Sequence, residues 1–207
     1  MKKLSVFLLL AASTASYAQS PLRFGVKAGA NISHMGISNS DISLGSLKNS
    51  FGPGFYAGGL LEISGPAGSK LKGQVEALYS FHNVKNTYTL SGIETVNKST
   101  LHQISVPLMI RYFPIPSLSF NAGASVNFNL ASKTKVDGRT YDHGDLNDLQ
   151  TLQVGVLVGA TYYIYKGFFV DARYNYYFGS VYKKDGDNDP GYRLSAIQVG
   201  LGYKFRY

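Results

Sequence analysis

Ile197-Gln198-Val199-Gly200-Leu201-Gly202-Tyr203-Lys204-Phe205-Arg206-Tyr207 forms the end of the sequence. Ile197, Val199, Leu201, Tyr203, Phe205 and Tyr207 fall on one face of an extended segment, while Gln198, Gly200, Gly202, Lys204 and Arg206 fall on the other. Side chains of a strand alternate faces, so this stretch carries one unbroken apolar surface. A soluble domain frays at its ends and gains little from such a surface carried to a terminal aromatic. The closing strand of a barrel in a membrane needs it, because lipid covers the outer wall.

The same alternation recurs upstream. Phe24, Val26, Ala28, Ala30 and Ile32 share a face within 23–33, and Phe55, Ala57, Gly59, Leu61 and Ile63 within 55–64. Leu71, Val75, Ala77, Tyr79 and Phe81 follow within 70–83, then Ile104, Val106, Leu108, Ile110 and Tyr112 within 101–113. Phe120 to Leu130 alternates without exception, and 151–165 and 168–179 repeat the pattern before the C-terminal strand. Most segments exceed the ~9–11 residues that cross a bilayer at a tilt.

Long polar connections at about 34–54, 84–100, 131–150 and 180–191 alternate with tight turns at 65–68, 114–116 and 166–167. The pattern predicts an all-β, eight-stranded antiparallel up-and-down transmembrane β-barrel with four longer outer loops and three short periplasmic turns. A soluble lipocalin-like barrel would turn its apolar face inward and carry lysine and glutamate outside. Here the less apolar face is rich in glycine, serine and asparagine, which suits a narrow lumen. The Gly25–Gly29 and Gly155–Gly159 spacings lie in period-2 segments, so a helix-dimer reading does not apply.

Lys2 and Lys3, the apolar run Leu4–Ala12 and Ser16-Tyr17-Ala18 predict a cleaved signal peptide over 1–18, followed by one barrel domain over 19–207. The apolar run is far short of the ~20 residues of a spanning helix. The chain has no cysteine, which excludes lipid anchoring at that site and a disulfide scaffold. The formal charge of +8 is spread through strands and loops, without the basic helix or patch that nucleic acid requires. No nucleic-acid partner is expected.

On the less apolar face, Lys27, Lys72, Arg111, Arg173, Lys204 and Arg206 confront Glu62, Glu76 and Asp171. Charges inside a narrow barrel must be paired or hydrated, so these nine are expected to form an interior network. A proton relay, ligand pocket or small pore are the other uses of such a set. Eight strands leave room mainly for side chains, which argues against a general diffusion channel.

His34, His82, His102 and His143 fall at or near the expected outer loop ends, with Ser33, Ser105 and Asp142 close in sequence. Nucleophile activation needs convergence in space, which sequence proximity does not supply. Asp185-Gly186-Asp187-Asn188-Asp189-Pro190-Gly191 partly imitates a calcium loop, but glycine takes its seventh place and Ala196 its twelfth. Catalytic residues, metal ligands and cofactors are therefore all expected to be absent.

Phe24-Gly25-Val26-Lys27-Ala28-Gly29-Ala30-Asn31, Ile104-Ser105-Val106-Pro107-Leu108-Met109-Ile110-Arg111-Tyr112-Phe113 and Val199-Gly200-Leu201-Gly202-Tyr203-Lys204-Phe205 resemble the PorT-type outer-membrane β-barrel proteins of the Bacteroidetes lineage. The resemblance spans about 22–207 and implies an outer-membrane barrel of the cell envelope, with a named member implicated in gliding and type IX secretion. It implies a terminal barrel-assembly signal, here Tyr203, Phe205 and Tyr207. Outer-membrane lipid and lipopolysaccharide, the barrel-assembly machinery and a secretion or envelope protein are the expected partners. The expected function is non-enzymatic: envelope integrity, surface contact or accessory work in secretion. The alternatives are a narrow channel or small-ligand transporter, and an outer-leaflet lipid-modifying enzyme.

Overall fold

The computed structural model describes residues 22–38, 46–50, 52–66, 68–90, 93–136, 139–143, 150–181 and 191–205. Among the described residues ten strands occur in chain order: β1 (Leu22–Ser38), β2 (Ser46–Ser50), β3 (Gly52–Ser64), β4 (Leu71–Leu90), β5 (Ile93–Ile115), β6 (Leu118–Val136), β7 (Arg139–His143), β8 (Leu152–Tyr165), β9 (Phe168–Tyr177) and β10 (Gly191–Lys204). Eight of them form a closed antiparallel ring, β1-β3-β4-β5-β6-β8-β9-β10, in which β10 returns to β1. The five-residue strands β2 and β7 extend the ring upward, pairing with the far ends of β4 and β6.

The register can be followed around the wall. Phe24 lies opposite Leu61, then Val75, Leu108, Ala124, Val156, Tyr176 and Ser195 follow in turn, and Ser195 lies opposite His34. One circuit thus returns to β1 ten residues beyond its start. At ~3.3 Å per residue and ~4.8 Å between strands, this shift tilts the strands by about 40° and sets a backbone radius of about 8 Å. So small a radius leaves an interior that side chains can fill.

The outer wall is apolar and exposed from Val26 through Leu108, Ile110, Val158 and Leu201. Phe24, Tyr112, Phe120, Tyr162 and Phe168 ring its short-turn end, and Phe55, Phe128 and Phe178 lie toward the other. Phe120 and Phe128 are eight residues apart on β6. With the tilt, that spacing covers about 20 Å of membrane thickness, close to the ~25 Å apolar band of such barrels. The turn between β8 and β9 is the two-residue pair Lys166-Gly167, with φ of 38° and 96°. Positive φ at both positions is the geometry that matches strand twist in a tight hairpin, and glycine supplies it without steric cost.

The strands run further than their apolar faces indicate. The described residues of 84–100, expected as a loop, are strand, and β4 pairs β5 as far as Leu90 opposite Ile93. Parts of 34–54 and 131–150 are also strand, and β5 continues through Ile115 before the turn at Pro116-Ser117. Beyond the lipid both sheet faces tolerate polar residues, so alternation fades although pairing continues.

The lipid band carries a direct test. Leu108→Arg, at mid-wall, is expected to lower stability by about 2–4 kcal/mol, and Ile115→Arg, at the short-turn rim, by about 0–1 kcal/mol. Urea titration of protein refolded into phospholipid vesicles measures both; equal costs would place the membrane elsewhere on the wall.

Candidate functional site

Period-two alternation turns every second residue inward, and those positions carry the charges. Near the short turns, the Arg111 guanidinium donates to Glu62 Oε2 at 3.0 Å, Gln74 Oε1 at 2.7 Å, Tyr163 Oη at 2.8 Å and Asn121 Oδ1 at 3.0 Å. Lys204 Nζ, from β10, donates to Glu62 and to Tyr163 Oη. Lys72 Nζ reaches Glu62 Oε1 at 3.3 Å. Arg111 and Lys204 come from opposite walls of the ring and meet on one carboxylate.

One level higher, Arg173 makes a two-pronged pair with Glu76, at 2.8 and 2.9 Å, and lies 2.9 Å from Asp171. Lys27 Nζ donates to Asp171 Oδ1 at 2.6 Å and to Glu76 Oε1 at 3.4 Å. Arg173 on β9 and Glu76 on β4 face each other across the full diameter. Gln74 donates to Glu76 and accepts from Arg111, while Asn121 donates to Thr161 and Thr161 to Asp171. The two levels are therefore one network. Its upper level sets two cations against two carboxylates; its lower level sets three cations against one.

Part of the space in the lumen comes from β10, which carries glycine at inward positions 200 and 202. A Cβ at Gly200 would lie 2.3 Å from Tyr56 Oη, and one at Gly202 would lie 2.2 Å from the Phe169 ring. Toward the outer end, Val84, Leu101, Tyr177, Val181, Leu194 and Ala196 pack into an apolar cluster. Above the short-turn mouth, charged, polar and apolar side chains pack the described interior.

Of the nine residues expected inside, Lys27, Glu62, Glu76, Arg111, Asp171, Arg173 and Lys204 are buried and Lys72 is half-buried; Arg206 lies outside the described residues. Tyr203 and Phe205 lie on the outer wall, stacked edge to face, and Tyr207 is outside the described residues. Gln74, Asn121, Thr161 and Tyr163 complete the network without having been singled out in sequence. The available signal was their position two residues from a charge or another network member on the same inward face.

His82 and His102 do not converge. His102 points outward, with Nδ1 2.6 Å from Tyr79 Oη, whereas His82 is wholly buried in the lumen with Nδ1 2.8 Å from Ser33 Oγ. Asn31, not a carboxylate, accepts from Ser33. No group of three or more metal-ligating side chains occurs among the described residues. The side chains of Asp142 and His143, and 185–190 of the calcium-like segment, lie outside them.

Removing one member of a buried pair strands its partner. Glu76→Gln is expected to cost about 3–5 kcal/mol, with Glu76→Gln/Arg173→Met costing less than the sum of its parts. Urea unfolding in detergent measures this cycle; additive costs would show that the pair is not a unit.

The profile of the outer membrane protein beta-barrel domain family matches residues 17–183. No curated protein matches the chain in sequence. Neisserial surface protein A has a solved structure with 18% identity and a TM-score of 0.56, covering 88% of this chain and 97% of its own. Ail, the attachment invasion locus protein of Yersinia pestis, has 13% identity and a TM-score of 0.50, with coverage of 89% and 99%. At these identities the likeness is one of fold, the same small closed barrel. The register, the lipid-covered wall and the family match lead to one conclusion: the chain belongs to the outer membrane protein beta-barrel domain family and resides in the outer membrane.

Proposed function

We propose that the protein is a non-enzymatic outer-membrane barrel whose working surface is the sheet standing beyond the outer aromatic band. The observation that carries this reading is the paired length of β4 and β5. They run 20 and 23 residues, about twice the ~9–11 that lipid requires. Their ends pair with β2 and β6, and β6 with β7, so the sheet order above the membrane is β2-β4-β5-β6-β7. Pairing of this extent holds a surface rigidly, as contact with a partner requires.

The filled lumen supports this reading over a channel, because conduction needs a hydrated path past Arg111 and Arg173. Burial of Ser33 and His82 in the lumen, beside the apolar cluster and with no carboxylate on Ser33, supports it over lipid hydrolysis. Ail is an attachment protein by name, and surface contact of that kind suits the projecting sheet. The finer reading is a PorT-type protein of the Bacteroidetes lineage, accessory to secretion or envelope integrity. Residues 1–18 act as a cleaved signal peptide, and Tyr203, Phe205 and Tyr207 form the barrel-assembly signal. Lipopolysaccharide surrounds the outer rim.

Crosslinking in native outer membranes followed by mass spectrometry tests the role of the sheet. Replacing residues 85–98 by Asn-Gly is expected to abolish crosslinks to a protein partner while the barrel keeps its heat-modifiable gel shift. Recovery of the same partners from the shortened protein, or of a lone barrel from the parent, overturns the proposal. Tyr207→Asp is expected to reduce membrane insertion; equal amounts of inserted variant and parent would remove the assembly role.

A further inference from the structure

At the short-turn mouth a cavity of about 320 Å³ opens beneath the lower charge level. Arg23, Lys72, Lys166 and Lys204 line it, and Glu62 is the one carboxylate among its described lining residues. Glu62 is already engaged by Arg111, Lys72 and Lys204. Lys72 and Arg111 lie directly opposite each other across β4 and β5, a position in which like charges repel. The Lys204 side chain is only 5% exposed, so water solvates it poorly. The balanced level above shows that this barrel can match its charges; the excess is confined to the cavity roof.

The remaining wall is apolar and aromatic, including Phe113, Tyr165 and Phe205. Lys72 Nζ sits 4.5 Å from the Phe113 ring centroid and Lys166 Nζ 4.9 Å from that of Tyr165. An anion placed among these ammonium groups would offset a repulsion the protein's own carboxylate leaves uncompensated. We propose that the cavity binds a small amphiphilic anion, a carboxylate or phosphate group carried on an apolar body, entering from the side of the short turns. The volume suits such a ligand, since pockets for small organic molecules begin at about 300 Å³.

The test titrates the folded full-length barrel in zwitterionic detergent with phenylphosphate, using phenol as the neutral control, and follows backbone amide shifts. Saturable shifts are expected at Lys72, Gly167 and Phe205, with a Kd below about 1 mM and phenol at least about tenfold weaker. Arg23→Gln/Lys72→Gln is expected to weaken phenylphosphate about tenfold or more, because it removes two charged donors. Non-saturable shifts, shifts spread over the lipid-facing wall, or unchanged affinity in the double variant overturn the proposal. Should that variant fail to fold, Arg23→Gln alone changes an exposed side chain and is expected to weaken binding about threefold or more; unchanged affinity is again fatal. Repeating the titration in phosphatidylcholine nanodiscs with and without phosphatidylglycerol separates the ligand's sources. Competition by the anionic lipid identifies a headgroup, and its absence a soluble anion.

Discussion

Charge in a space too narrow for bulk water is the constraint around which this barrel is arranged. Arg173 and Glu76 meet across the diameter, and each would be strongly unfavourable in the lumen alone. Their pairing requires β4 and β9 at opposite points of the ring, the register that puts them at one level, and a neighbouring strand with glycine at inward positions 200 and 202. Lys27, Asp171, Thr161 and Gln74 then satisfy the remaining donors and acceptors. The lipid-facing wall defines a barrel of this width; the ionic interior makes one register of it preferable to a slipped one.

The interior also separates scaffold from surface. Side chains pack the described lumen, and the apolar cluster of Val84, Leu101 and Leu194 lies between the ionic levels and the outer rim. Two regions stand outside that packed interior, the sheet above the lipid and the cationic mouth at the other end. The two are chemically unlike: one offers strand edges and hairpins, the other ammonium groups beside aromatic rings.

The legibility of these features in sequence follows from their physics. Which residues face lipid was readable from Phe24 to Phe205 because alternation is strict wherever one face meets hydrocarbon. Strand ends were not: residues 85–90 and 93–98 continue β4 and β5 beyond the lipid band, where both faces accept polar side chains. The inward charges were readable as a set, but Arg173 and Glu76 are 97 residues apart, and only the ten-residue shift around the ring brings them together. His82 stood among candidate rim residues although its spacing from Glu76 and Ser80 places it on the inward face.

The opposition of cations and carboxylates on facing walls constrains the order of assembly. In an open sheet Arg173 and Glu76 stand at a distance, each needing water that a bilayer does not supply. Strands entering lipid one after another would carry those unmatched charges with them. Curling of the sheet and neutralisation of its inner face must therefore accompany insertion, so that β1 finds β10 as a condition of crossing the membrane rather than as an event after it.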